Sequence, residues 1–136
     1  SNSRGLTIIF PAHPRTANQI KLSQYDAKNL CIVDPMNYFE FNYLVQNSKA
    51  VITDSGGVTE ETTYLNIPCM TLRNNTERPE TITHGTNILL GTDLRLIKKA
   101  FQKLFNGNWK SGSIPELWDG KTSKRIINRL LEIDLS

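Results

Sequence analysis

The chain has 136 residues, of which 38% are hydrophobic and 21% charged, and its formal net charge is +3. This length fits about one domain with its own core, and the composition is ordinary for a globular protein. No apolar run approaches the roughly 20 residues needed to cross a bilayer, and Leu6 to Phe10 is too short for a signal peptide. Because the basic residues are dispersed rather than gathered into a stripe, a nucleic-acid binder is not expected.

The two cysteines, Cys31 and Cys69, lie inside apolar segments. We interpret both as reduced core residues, which fits a cytoplasmic protein. Neither has the CxxC or Cys/His spacing of a metal site, so no metal is expected.

Short apolar runs alternate with helical patterns along the chain. The predicted strands are Leu6–Phe10, Asn29–Val33, Ala50–Thr53, Pro68–Leu72 and Asn87–Leu90. The predicted helices are Asn18–Tyr25, Tyr38–Gln46, Val58–Leu65, Pro79–His84, Leu94–Phe105 and Ser123–Glu132, with a loop-rich segment from Asn106 to Gly120. Strands that are apolar on both faces and alternate with helices predict an α/β domain with a doubly wound, Rossmann-like parallel sheet.

In such a sheet the ligand lies beyond the carboxyl ends of the strands. Polar or glycine-rich residues follow each of the first four predicted strands: His13, then Met36 to Phe41, then Asp54 to Gly57, then Arg73 to Arg78. We therefore expect these four groups to lie at one edge of the sheet and to form a binding site there.

The segment Asp54-Ser55-Gly56-Gly57 between a strand and a helix is the most informative motif. Two glycines allow a sharp turn or a close approach of a ligand, and the helix that follows directs free N–H groups to the same place. This arrangement suits a phosphate or diphosphate. The alternative is a tight turn in which Ser55 or Gly57 caps the helix. The absence of GxGxxG argues against an ordinary dinucleotide-binding loop.

Three further charged positions have two interpretations each. One of Glu60 and Glu61 is either a solvated carboxylate at the helix start or an acceptor for both hydroxyls of a ribose. Arg78, followed by Pro79 at a helix start, either pairs with a glutamate or grips phosphate oxygens with its planar fork.

His13 and His84 are both interpreted first as structural. His13 lies at a strand end next to Arg15, which also allows an anion-facing role, whereas His84 ends a helix. Trp109 and Trp118, in the late loops, are predicted to anchor packing.

At these residues the sequence resembles the non-hydrolysing UDP-N-acetylglucosamine 2-epimerases. The resemblance runs from about Leu6 to Asp93 and is most specific in the segments with Asp54-Ser55-Gly56-Gly57, Glu60-Glu61 and Thr76-Glu77-Arg78-Pro79-Glu80. It implies a two-domain architecture like that of type B glycosyltransferases, of which this chain resembles most of the carboxy-terminal domain. The amino-terminal domain and the first strand–helix unit would then be missing.

The resemblance also implies roles for individual residues. Ser55, Gly56 and Gly57 would hold the diphosphate of UDP, Glu61 the ribose hydroxyls, and Arg78 would face the phosphates and stabilise the leaving group. Met36, through its backbone, and Phe41 would lie against the uracil. His13 matches a position tied in bacterial members to a second, regulatory UDP-sugar.

The family inverts C2 of the sugar by removal of the C2 proton, loss of UDP to give a glycal, and addition back from the other face. Its acid–base carboxylates belong to the amino-terminal domain. The resemblance therefore implies a UDP-sugar as the ligand, no cofactor, no metal, an inactive fragment, and a homodimeric parent enzyme in the cytoplasm.

Several alternatives stay open beside this hypothesis. An epimerase of a related UDP-sugar would carry the same nucleotide motifs, and a type B glycosyltransferase would share the fold. A plain UDP-binding module without catalysis also fits this chain. A signalling receiver domain with Asp54 as phosphoacceptor is not expected, because Pro11-Ala12-His13-Pro14 stands where an acidic pair is needed.

Overall fold

The computed structural model describes residues 5–23 and 28–134 of the chain. They form two compact units that divide between residues 43 and 44, within one helix. None of the helices in these ranges is long and apolar enough to cross a membrane.

The first unit contains a two-stranded parallel sheet. Strand β1 (Ile8–Pro11) pairs with β2 (Leu30–Val33) in a register that places Ile8 opposite Leu30 and Pro11 opposite Val33. Helix α1 (Pro14–Leu22) lies between these strands in sequence. It begins four residues earlier than predicted, because Pro14 occupies the first helical turn and Nδ1 of His13 accepts from the Arg15 amide. The predicted end of this helix at Tyr25 lies outside the described residues.

In the first unit the prediction that Cys31 is a core residue is wrong, and the burial that an apolar strand leads us to expect is not found for β1 either. Residues Ile8, Ile9 and Phe10 of β1 are each about two-fifths exposed, and Cys31 of β2 is exposed as well. An apolar run predicts burial only where another layer covers it, and helix α1 contributes no buried residue.

Helix α2 (Tyr38–Gln46) has the predicted bounds and spans the division between the units. Asn37 and Glu40 close a reciprocal capping box at its start. The Asn37 amide donates to Oε2 of Glu40 over 3.1 Å, and the Glu40 amide donates to Oδ1 of Asn37 over 3.0 Å. The first turn of α2 is therefore fixed by its own side chains.

The second unit contains a three-stranded parallel sheet in the order β3-β4-β5, and five of the described helices lie wholly or partly within the sequence of this unit. The strands are β3 (Val51–Thr53), β4 (Cys69–Thr71) and β5 (Asn87–Leu89). The helices after α2 are α3 (Gly56–Tyr64), α4 (Pro79–Thr83), α5 (Leu94–Phe105) and α6 (Thr122–Asp134). The predicted α/β class with parallel strands is confirmed.

The core of the second unit lies between β4 and α5. Met70, Leu90, Ala100 and Leu104 form its buried cluster, and Trp109 packs against it as predicted. Cys69 is fully buried, and this burial raises the pKa of its thiol, so the prediction of a reduced core cysteine holds for Cys69.

The loop between α5 and α6 runs along helix α4 and strand β5. Three of its donors reach backbone carbonyls of residues 82–86. Trp109 Nε1 donates to Thr86 O over 2.8 Å, Lys110 Nζ to Ile82 O over 2.5 Å, and the Ser113 amide to His84 O over 2.8 Å. We call residues 109–113 the strap, because they fasten the end of α4 from outside.

Candidate functional site

A pocket lies at the carboxyl ends of β3 and β4, where a ligand is expected in a parallel α/β sheet. The start of α3 forms one side and the loop of residues 72–78 forms the other. The lining residues are Asp54, Gly56, Thr59, Thr71, Arg73, Asn75, Thr76, Glu77 and Arg78. The structure thus brings together two of the four segments singled out in the sequence. They are residues 54–57, which we call the glycine turn, and the segment that ends at Arg78.

The glycine turn is open above its backbone. A Cβ atom added to Gly56 would meet nothing within 4 Å, and one added to Gly57 would meet only Oγ of Ser55 at 4.0 Å. Neither residue has a positive φ. Since neither backbone conformation nor internal packing requires glycine here, the missing side chains leave room for something outside the chain.

Three amides at the start of α3, those of Gly56, Gly57 and Val58, are free to bind an anion, whereas the Ser55 amide donates to Oγ1 of Thr53 over 3.1 Å. Ser55 occupies the N-cap position, but its side chain makes no capping hydrogen bond. First-turn amides have no acceptor within their helix, and those of Gly56, Gly57 and Val58 find none elsewhere in residues 5–23 and 28–134. The positive end of the α3 dipole lies at the same place. The interpretation of this segment as a closed, self-capped turn is therefore not supported.

Arg78 forms an ion pair with Glu60 across the pocket wall. Its Nε donates to Oε1 of Glu60 over 2.6 Å, and Nη1 donates to the carbonyl of Glu77 over 3.2 Å. Both side chains of the ion pair are about two-fifths exposed. Nη2 has no hydrogen-bond partner within the described parts of the chain, so the ion pair orients the guanidinium without using all its donors.

The adjacent glutamates differ in their partners. Glu60 is bound to Arg78, whereas the half-buried Glu61 has a carboxylate with no hydrogen bond to any described residue. Of the two candidates for a ribose contact, Glu61 is the one that remains available.

The loop of residues 72–78 is anchored at its beginning. The Leu72 amide donates to the Thr53 carbonyl over 2.9 Å, and the Gly91 amide donates to the Arg73 carbonyl over 3.1 Å. Gly91 has φ +56, and an added Cβ there would clash with Oδ1 of Asn74. Only glycine fits this close approach, which holds the pocket side of the loop in place.

The remaining predicted site residues belong to the first unit. His13 is exposed and caps α1, as its structural interpretation required. Met36 and Phe41 are half-buried, one before the Asn37–Glu40 capping box and one after it.

Three pocket residues were not predicted individually, although Arg73 begins a segment that was expected at this edge of the sheet. Arg73 adds a second cation, while Thr59 and Thr71 are buried beneath the pocket with 1% and 3% exposure. Arg73 directly follows a predicted strand, which was a usable signal. The threonines carried no such signal, because buried and exposed threonines look alike in a sequence.

Comparison with known proteins identifies the family to which this chain belongs. The family model described as UDP-N-acetylglucosamine 2-epimerase matches residues 1–131. A curated protein of that name from Methanocaldococcus jannaschii is 42% identical over an alignment of 130 residues that covers 90% of this chain and 34% of the relative. The chain therefore spans about a third of the length of such relatives.

Two solved structures have the same fold. The Methanocaldococcus jannaschii enzyme in complex with UDP-GlcNAc and UDP has a TM-score of 0.74 and 40% identity, over 93% of this chain and 36% of that one. The Neisseria meningitidis enzyme bound to UDP-GlcNAc has a TM-score of 0.74 and 30% identity, over the same shares. From the matched family model, the relatives and the shared fold, we conclude that this chain belongs to the UDP-N-acetylglucosamine 2-epimerase family.

Proposed function

We propose that this chain is the UDP-binding part of an enzyme that interconverts UDP-N-acetylglucosamine and its C2 epimer. The observation that carries the proposal is the pocket that Gly56 and Arg78 both line, at the start of the helix where the amides of Gly56 and Gly57 are open. Two solved relatives are described as bound to UDP-GlcNAc, one of them also to UDP, which supports the same ligand here.

The diphosphate would bind at the start of α3. Gly56 and Gly57 offer amide donors and Ser55 its uncommitted hydroxyl, since the Ser55 amide already donates to Oγ1 of Thr53. The free Nη2 of Arg78 adds a charged donor from the opposite wall. Charge-assisted hydrogen bonds to phosphate are about twice as strong as neutral ones.

The ribose would bind at Glu61. A carboxylate has two acceptor oxygens and no donor, which matches two neighbouring hydroxyls. Glu60 cannot take this role while its carboxylate holds Arg78. We propose Met36 and Phe41 as uracil contacts, since a backbone amide edge and an aromatic ring suit a planar base.

These groups would assist the reaction by stabilising the leaving group. When the bond between the sugar and UDP breaks, negative charge grows on the diphosphate, and donors already aimed at it lower the barrier. The chain holds leaving-group donors in this pocket, while the proton transfers at C2 would fall to residues in the remaining two-thirds of the relatives' length. A homodimeric enzyme, a cytoplasmic location and a regulatory ligand at His13 remain predictions.

Calorimetric titration of the chain with UDP, UMP and ADP tests the binding proposal. UDP should bind tightest, UMP more weakly because it lacks the second phosphate, and ADP least because its base differs. Equal affinity for UDP and ADP would contradict uracil recognition, and equal affinity for UDP and UMP would contradict the diphosphate seat.

A longer polypeptide that carries this chain tests the activity. It should convert UDP-N-acetylglucosamine to a mixture of C2 epimers, with solvent deuterium incorporated at C2. Epimerisation of a different UDP-sugar only, or transfer of the sugar to an acceptor, would replace the proposed substrate or reaction while keeping the UDP site.

A further inference from the structure

Three buried side chains join the floor of the pocket to Arg78, the N-cap residue of helix α4. Thr71 Oγ1 donates to Oδ1 of Asn87 over 2.7 Å, and Nδ2 of Asn87 donates to Thr81 Oγ1 over 3.1 Å. Thr81 Oγ1 then donates to the carbonyl of Arg78 over 2.7 Å. The exposed fractions of Thr71, Asn87 and Thr81 are 3%, 0% and 0%. We call this series the hydroxyl–amide chain.

All hydrogen bonds of the hydroxyl–amide chain run in the same direction, from the donor Thr71 to the final acceptor, the Arg78 carbonyl. The single hydrogen of each threonine hydroxyl is used by the next acceptor, and Asn87 accepts with its oxygen while donating with its nitrogen. Removing one member leaves a neighbour buried without a partner, which is costly in a dry interior. Apolar residues would fill this space without that risk, so core packing alone does not explain the polar set.

The far end of the hydroxyl–amide chain acts on the backbone of Arg78. The Arg78 carbonyl accepts from both the hydroxyl and the amide of Thr81, the latter over 3.1 Å. The Arg78 amide donates to Thr76 Oγ1 over 3.0 Å. Arg78 has φ −128 and ψ 65, a conformation outside the helix that follows. These bonds fix the direction in which the Arg78 side chain leaves the backbone.

We propose that Thr81 and Asn87 are positioning residues for Arg78. Neither residue lines the pocket, and both act by holding the Arg78 backbone so that its guanidinium reaches Glu60 and keeps Nη2 free for a phosphate. This inference rests on the proposed function, because it requires that Arg78 meets the diphosphate of UDP. It adds two residues to that site that touch no part of the ligand.

The test compares UDP with uridine, which has no phosphate. Thr81→Val keeps the shape of the side chain and removes its hydroxyl, while Thr81→Ser restores the hydroxyl. Affinities are measured by amide chemical-shift titration of the ¹⁵N-labelled chain, since this method also reports weak binding and shows whether each variant is folded. Thr62→Val is the matched control, because Thr62 is also buried and also donates to a helix carbonyl, that of Thr59.

We expect Thr81→Val to lower the affinity for UDP about fivefold, the worth of one ordinary hydrogen bond, and to leave uridine binding unchanged. Thr81→Ser should recover most of the loss, and Thr62→Val should not change the ratio of the two affinities. In an Arg78→Ala background, Thr81→Val should have no further effect on UDP, because the positioned group is gone.

Three results would overturn the inference: an unchanged UDP affinity in Thr81→Val, an equal loss for UDP and uridine, or a loss that persists with Arg78→Ala. If Thr81→Val does not fold, Asn87→Ser breaks the same series without adding an apolar group and is held to the same three outcomes. Failure of the unaltered chain to bind UDP would instead refute the proposed function, so the two failures are distinguishable.

Discussion

Glu60 on helix α3 holds Nε of Arg78 at 2.6 Å and so joins the two walls of the pocket. Because both side chains are partly exposed, the pair itself contributes only about 0–1 kcal/mol to stability. Its value lies in orientation: with Nε bound to Glu60, the guanidinium plane is set and Nη2 is left for a ligand.

Replacing Arg78 with lysine should separate charge from geometry. Arg78→Lys keeps the positive charge but loses the planar fork, so it cannot hold Glu60 and a phosphate together. We expect the UDP affinity to fall roughly tenfold, as for the loss of one charge-assisted hydrogen bond, with little change in thermal midpoint. Arg129→Lys, an exposed position paired with Glu132 on α6, is the control. An unchanged UDP affinity in calorimetry would exclude Arg78 from the phosphate contact.

Glu61→Gln tests the ribose contact. A neutral amide offers one acceptor oxygen in place of two charged ones, so we expect the UDP affinity to fall by about tenfold or more. The variant should also lose its preference for UDP over 2′-deoxy-UDP in the same titration. Glu116→Gln in the exposed late loop should have no effect. If Glu61→Gln still discriminated between the two nucleotides, the hydroxyls would have to bind elsewhere.

Glycine substitutions should separate binding from folding. Gly56→Ala places a methyl group in open space and favours the helix by up to about 1 kcal/mol, so the thermal midpoint should hold or rise while UDP binding is lost. Gly85→Ala is the reverse case, since an added Cβ would lie 2.5 Å from the Thr81 carbonyl and the fold must be destabilised. Undiminished UDP binding by Gly56→Ala would mean that no ligand approaches this turn closely.

Asp93, the N-cap residue of helix α5, should contribute to the loss of fold stability at low pH. The hydrogen bonds from Arg95 lower the pKa of Asp93 below its model-peptide value of 3.8. A carboxyl group whose pKa is lower in the folded state stabilises the fold above pH 3.8 and loses this contribution as the pH falls through the folded pKa. Asp93→Asn keeps a good cap and cannot ionise, so its thermal midpoint should depend less steeply on pH below about 4. Equal slopes for both proteins would contradict this assignment.

The elements that the sequence predicts best are those with local signals. Helix α5 has its predicted bounds, because Asp93 caps it and its apolar residues recur at helical spacing. Helix α1 begins earlier than predicted, although the pattern of His13 before Pro14 was visible and is a usable start signal. Strand β1 shows the limit of such signals, since its exposure depends on what covers it and not on its own residues.

The location of the candidate site could be predicted from the sequence, but the contacts between its side chains could not. The glycine turn and Arg78 were expected near strand ends, and the structure brings them together. Which of Glu60 and Glu61 binds Arg78 depends on their directions, which differ by about 100° around a helix and are invisible in the sequence. The hydroxyl–amide chain joins residues up to 16 positions apart, so no local pattern reveals it.

The strap fastens the end of α4, the helix that follows Arg78, with residues that lie far from the pocket in sequence. Trp109, Lys110 and Ser113 donate to backbone carbonyls of residues 82–86, at the end of α4 and just after it, although none of the three lines the pocket. A version of this domain cut after Phe105 would retain every residue that surrounds the pocket and still release the far end of α4. We therefore expect the shortest piece that keeps the end of α4 in place to include the strap up to Ser113.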